Sequence, residues 1–255
     1  MEEIKKEYDE NYRCYGARKM WLELRGKGFD VARCTVERLM TTLGLKGARR
    51  GPVKRTTIPD PAAIRPQDLV KRDFNPLAPN KLWVADFTYV STQAGWVYVA
   101  FVIDAYARRI LGWSVATTMT NQLVLDALEQ AIWTRHREGK DLTDLIAHHD
   151  HGVQYLSVAY SEHLATAGIK PSTGAVGSSY DNALAESIIG LYKTELIKKQ
   201  RPWKGFDDLE IATAEWVDWY NPRRPFEYCD DLTPVEAEAV HYAHHQTPAT
   251  AGVSN

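Results

Sequence analysis

The sequence predicts an α/β protein: a mixed five-stranded sheet with helices on its faces, preceded by a small helical module. Three observations predict it. Apolar, β-rich runs crowd between Lys81 and Ala116 with only short turns between them. Helical patterns then alternate with brief strands as far as Leu196. Ahead of all this, a glycine-broken pair of helices is set off by a proline-dense stretch. The resulting order, β-β-β-α-β-α-β-α, is that of an antiparallel meander extended by strands reached through helices.

The opening module spans residues 1–50. Met20, Trp21 and Leu24 fall at helical spacing, and Gly26 and Gly28 end that helix. A second helix runs from Cys34 to Leu45 with Val36, Leu39, Met40 and Leu43 inward. Two short helices about a glycine turn, followed by a basic strip, read as a helix-turn-helix. Thr35, Arg38 and Thr42 are then candidates for a DNA groove, and Arg49 and Arg50 for the phosphates beside it. The competing reading is a helical hairpin with a solvated basic surface. Residues 51–79 form a linker with Pro52, Pro59, Pro61, Pro66, Pro76 and Pro79 and no apolar periodicity.

Residues 80–240 hold the sheet and its helices. Lys81–Ser91, Trp96–Asp104 and Arg109–Ala116 are the three meander strands, with turns at Gln93–Gly95 and around Tyr106 and Ala107. An amphipathic helix covers Asn121 to Arg137, with Leu125, Leu128, Ala131 and Ile132 inward. Leu145–His148 is a fourth strand ending at His149 and Asp150; Ser157–Ala167 is helical; a brief strand follows Gly168. The next helix runs from Ser179 to Leu196, with Asp181 and Asn182 able to cap it. Its Leu184, Ile188, Leu191 and Glu195 line one face, and Asn182, Glu186 and Lys193 another. Ala212–Tyr220 is a packing helix, Asn221–Pro225 a basic loop, and residues 244–255 a small, polar, disordered tail. Most tryptophans, among them Trp96, Trp113, Trp216 and Trp219, sit in apolar runs and are assigned to the core.

Composition excludes several classes. At 44% hydrophobic and 25% charged, the chain is an ordinary globular protein. No apolar stretch is long enough to span a bilayer, and the charged N-terminus is no secretory signal. Three scattered cysteines form neither a disulfide framework nor a metal knuckle, which fits a reducing cytoplasm. The net charge of −2 conceals an asymmetry: residues 1–80 hold 17 Lys+Arg against 11 Asp+Glu, and the rest 14 against 22. A basic third before an acidic remainder points to a polyanion-binding module joined to something else.

Three carboxylates stand out from the acidic background. Asp86 interrupts an apolar, aromatic strand, Asp150 follows the fourth strand, and Glu186 lies on the late helix with 35 residues between it and Asp150. A charge inside a core strand is costly unless it is paired or holds a metal. Three carboxylates gathered this way suit hard, oxygen-seeking Mg²⁺, and two such ions about 3.5–4 Å apart support in-line displacement at phosphorus. Asp104 also ends a strand and is given a turn or structural role.

WVADFTYV around Asp86, GWVYVAFVIDAYARRILGW, HHDHGVQY around Asp150, SYDNALAES around Glu186 and WYNPRRPF…LTPVEAE resemble the second-reading-frame transposases of the IS3 insertion-sequence family. The resemblance runs from Tyr15 to about Tyr242. It implies an integrase core of the RNase H-like fold, with a D-D-35-E triad at Asp86, Asp150 and Glu186. It also implies Mg²⁺-dependent 3′-end cleavage and strand transfer without a covalent protein–DNA intermediate, with Mn²⁺ able to substitute. Lys193, seven places after the glutamate, is implied to contact the transposon end, with Asn182 nearby. Further implications are double-stranded terminal repeats and target DNA as partners, a homo-oligomer, an upstream-frame protein as fusion or partner, and a nucleoid-associated, bacterial cytoplasmic location. The family usually has Ser before the second aspartate and Arg or Gln after it; here these are His149 and His151, which set imidazoles beside the metal. A zinc site at His148, His149 and His151 is the weaker alternative, since one strand end cannot point three ligands at one ion. Relatives also carry a helical segment ahead of the point where this chain begins, so the chain is expected to be a truncated copy or a partner lacking its own end-recognition module. Alternatives to transposase are a catalytically degenerate DNA-binding regulator and an RNase H-like nuclease.

Overall fold

The computed structural model describes residues 1–49, 68–70, 73–149, 158–173 and 182–245. Most of the linker, the segments around Asp150 and Ser179, and residues 246–255 of the tail lie outside the described residues. The chain divides into two compact units. One comprises residues 1–56 and 187–203, the other residues 57–186 and 204–255.

The larger unit is built on the expected mixed sheet. Its strands are β1 (Leu82–Thr92), β2 (Gly95–Asp104), β3 (Ile110–Ala116), β4 (Ile146–His149) and β5 (Lys170–Thr173), in the order β3-β2-β1-β4-β5. The meander pairs are antiparallel, whereas β4 joins β1, and β5 joins β4, in parallel. β1 is therefore the central strand, and its Trp83, Val84 and Ala85 are buried between neighbours on both sides.

One face of the sheet carries the helix Asn121–Arg137 and the helix Val158–Thr166. In chain order these are α4 and α5, following α1 (Glu2–Glu10), α2 (Ala17–Gly26) and α3 (Arg33–Thr42) of the other unit. Trp83, Ala85, Ala100 and Val102 meet Leu128 and Leu164 there in one apolar cluster. α4 comes down on β3 at Gly112, where an added Cβ would lie 2.0 Å from the Ala127 carbonyl oxygen. The opposite face carries α7 (Phe206–Arg223), after α6 (Ala183–Tyr192) in the chain, with Trp216 set edge-on to Phe101 at 6.3 Å between centroids. α7 is twice the predicted length. Its last turn includes Asn221, whose side-chain amide pairs with both the N–H and the carbonyl of Ile110 on the edge strand β3. The expected basic loop is thus partly helix, and Arg224 is buried over the Tyr220 and Phe226 rings.

The last helix, α8 (Pro234–His245), is fastened through charge. Arg135 of α4, fully buried, donates to Asp104 at 3.0 Å, to Glu138 at 3.0 Å and to Glu238 of α8 at 2.8 Å. Arg109 bridges Glu138 and Glu238 from the β2–β3 turn. Asp104 also accepts the Asn80 and Tyr106 backbone N–H groups, which is the structural role its turn position predicts. Burial first, and the Glu238 charge second, push the Asp104 carboxyl up to about 6 against the pull of Arg135.

In the other unit, Met20 and Leu24 of α2 and Val36 and Met40 of α3 are buried, as their spacing predicts. α1 was not foreseen: only Ile4 and Glu7 of it are buried, and Glu7 is paired with Lys27. The Trp21 indole donates to the Val31 carbonyl at 2.8 Å and pins the turn between α2 and α3, where Gly28 has φ +85°.

Candidate active site

Strand alternation decides which side chains share a face. Asp86 pairs across the antiparallel ladder with Phe101, so both point to the α7 side, while Ala85 points into the α4 cluster. Asp86 is half-buried, and its Oδ1 accepts the Phe87 N–H at 2.8 Å.

α6 reaches this strand through Asn182. The Asn182 side chain is 4% exposed, and its Nδ2 donates to the Ala85 carbonyl at 3.1 Å, one residue before Asp86. Its own backbone carbonyl accepts the Glu186 N–H at 3.1 Å. The sequence offered Asn182 as a helix cap, a DNA contact or a support for Glu186; the structure buries its side chain with Nδ2 on the strand. Glu186 follows one turn later, exposed, in the first turn of α6, where the helix dipole favours a carboxylate.

Asp150 and His151 lie outside the described residues. The parallel ladder between β1 and β4 is described up to Ala85 opposite His149, and the next residues of the two segments are Asp86 and Asp150. His149 shares the Ala85 face, buried edge-on to Tyr160 of α5 at 5.7 Å between centroids. The expectation of a His149 imidazole beside the metal is therefore corrected: it faces away from the Asp86 side. His148 shares the Val84 face, with Nδ1 2.9 Å from the Ser172 hydroxyl and its ring edge-on to Phe74. Ser172 also accepts the Leu69 N–H at 3.0 Å. The two histidines point to opposite faces and do not share an ion. Among the described residues no group of three His, Cys, Asp or Glu side chains is placed to hold a metal.

Lys193 opens a π-helical turn, Lys193–Ile197, that continues α6, so the α-helical stripe drawn through Asn182 and Glu186 stops there. Arg38 and Arg49 are exposed on the smaller unit, and Thr35 is half-buried. The Thr42 hydroxyl donates to the Arg38 carbonyl and is occupied along its own helix. Arg50 is outside the described residues. A cleft of about 440 Å³, lined by His136, Lys140, Asp144 and Lys170 among others, includes none of the carboxylates of this site.

This mixed sheet, with an acidic strand residue at its centre and a helical unit before it, defines an integrase-core protein. The Integrase core domain family matches residues 76–179 and, in a second form, residues 167–234; the HTH-like domain family matches residues 1–53. The transposase assigned to insertion sequence element IS986/IS6110 of Mycobacterium tuberculosis (strain ATCC 25618 / H37Rv) is 65% identical over 97% of this chain and 90% of its own. Transposase InsF for insertion sequence IS3A of Escherichia coli (strain K12) is 35% identical over 88% of this chain and 76% of its own. A chain in the simian T-cell lymphotropic virus intasome bound to PP2A regulatory subunit B56 gamma shares the fold, with a TM-score of 0.52 at 14% identity over 99% of this chain and 77% of that one. The chain belongs to the IS3 family of insertion-sequence transposases.

Proposed function

We propose that the chain catalyses 3′-end cleavage and strand transfer of an insertion sequence, with Asp86, Asp150 and Glu186 as its catalytic carboxylates. The observation that carries this reading is the Asn182 tie to Ala85, which sets the first turn of α6 beside the strand position that bears Asp86. Two carboxylates thus come from two different elements, one on a central strand and one on an exposed helical turn. Asp150 joins them on the evidence of the sequence.

Hard carboxylate oxygens of this kind fit Mg²⁺, with Mn²⁺ as a substitute, and Asp86, Asp150 and Glu186 would hold the ions. When bound, two divalent ions activate a water or a 3′-hydroxyl and stabilise the leaving oxygen at phosphorus. The protein's own contribution is placement. β1, bonded on both sides, fixes Asp86; Asn182 fixes the start of α6; and the exposure of Glu186 leaves it open to a polymer too large for a pocket. Duplex terminal repeats and target DNA are the substrates, held by Lys193 and by Thr35, Arg38, Arg49 and Arg50 of the helix-turn-helix-like unit. The working form is a homo-oligomer, with the upstream-frame protein as fusion or partner.

The test supplies pre-cleaved transposon ends and a target plasmid in Mg²⁺. Joined products are expected. End cutting without joining makes the chain a nuclease, and binding without either makes it a regulator.

A further inference from the structure

The outer face of α4 is left over from the integrase core. Gln122, Asp126, Glu129, Trp133, His136 and Arg137 are all exposed and, at 100° per residue, fall within 60° of Trp133. Trp133 is 58% exposed, an unusual place for the largest apolar side chain, and the Arg137 guanidinium lies 5.1 Å from its ring centroid. Charge along this stripe is ordered: Asp126 and Glu129 precede Trp133, and His136 and Arg137 follow it. Glu129 is also 3.4 Å from His163 of α5, both being about half exposed.

We propose that this face pairs with the same face of a second copy of the chain, the two α4 helices antiparallel and the twofold axis passing at Trp133. The argument is self-complementarity. A twofold contact requires each residue to meet its counterpart's partner. Glu129 and Arg137 lie four residues to either side of Trp133, each about 6 Å along the axis. Reversing one helix against the other sets the Arg137 of each copy level with Glu129 of its mate, with Asp126 one turn beyond. A parallel pair sets acid against acid and base against base. Tryptophan and arginine at the centre of a patch, ringed by charge, is also the composition of an energetic hot spot. A single helix pair with its α5 margin is at the small end of specific interfaces, so a micromolar dimer is expected. This inference stands on α4 alone and does not depend on the catalytic reading.

Sedimentation equilibrium on the full chain without DNA tests it, with circular dichroism melts to verify folding; these side chains are exposed, so the variants are expected to fold. Trp133→Ala is expected to weaken dimerisation at least tenfold. Glu129→Arg and Arg137→Glu are each expected to weaken it, and the double exchange to restore it. Glu186→Gln, which disables the proposed active site, is expected to leave dimerisation unchanged. A chain that stays monomeric at 100-fold above about 1 μM, or a dimer indifferent to all three single changes on α4, overturns the proposal. So does a monomer whose Trp133→Ala variant loses duplex DNA affinity, since that makes nucleic acid the occupant.

Discussion

At the scale of single residues, Asn182 and Asp104 show how polar groups are used in this fold. Asn182 is one hydrogen bond from the strand residue before Asp86, so Asn182→Ala removes a positioning contact and no carboxylate. It is expected to lower strand transfer by ten- to a hundredfold, in the range where displacement of a reacting group by about 1 Å acts. Duplex binding, measured by anisotropy, should be retained; full activity in this variant contradicts the role. Asp104 carries a pH prediction. Burial and the Glu238 charge raise its folded pKa to about 6. Its contribution is fully present below its unfolded pKa near 3.9 and is lost as pH rises through about 6. The stability of the wild type relative to Asp104→Asn should therefore fall between pH 4 and pH 6, as read from urea denaturation. A difference that rises over that window contradicts the assignment.

Elements are held by two unlike devices. α4 is seated by closeness: Gly112 lets the Ala127 carbonyl oxygen approach β3, and Gly112→Ala forces helix and strand apart. A loss of about 3 kcal/mol is expected in chemical denaturation, the upper end of ordinary overpacking; a neutral outcome would mean the helix is not seated there. α8 is seated by charge, with Arg135 satisfying Asp104 and Glu238 in a site closed to water. Arg135→Met strands two buried carboxylates and should cost about 3–5 kcal/mol. Elements were also where sequence reading did best. The meander, α4, β4, α5 and β5 each fall within a residue or two of expectation, because alternation and helical spacing are written locally. Where it failed, the cause was tertiary. Trp96 lies in an apolar run yet is 56% exposed. β3 pairs β2 only as far as Tyr98, so the end of the β1–β2 hairpin extends past β3. Trp96 meets Tyr89 there edge-on, at 5.1 Å between centroids. α1 escaped notice because its buried positions are an isoleucine and a paired glutamate, which leave no apolar period.

For the molecule as a whole, the placing of Asp86 on a strand of the sheet was legible because a charge in an apolar run is conspicuous, whereas the hydrogen bond from Asn182 to Ala85 was not. A distant asparagine donating to a backbone carbonyl leaves no trace in spacing. The division into units was likewise hidden, since residues 187–203 cluster with the N-terminal helices despite some 130 intervening residues. In that unit Lys199 donates to the Arg13 carbonyl and lies over the Tyr8 ring at 5.9 Å. Residues 1–56 expressed alone are accordingly expected to melt without a cooperative transition, and a sharp melt would show that the later segment is dispensable. Among the described residues no helix is long and apolar enough to cross a membrane.

The central claim is that Asp86 and Glu186 act together in metal-dependent cutting of DNA ends. End cleavage in Mg²⁺ by Glu186→Gln and Asp86→Asn, with duplex binding measured on the same preparations, tests it most directly. Both variants are expected to bind terminal-repeat DNA as the wild type does and to lose cleavage by at least a thousandfold, about 4 kcal/mol of transition-state stabilisation. Cleavage at wild-type rate in either variant would contradict the account.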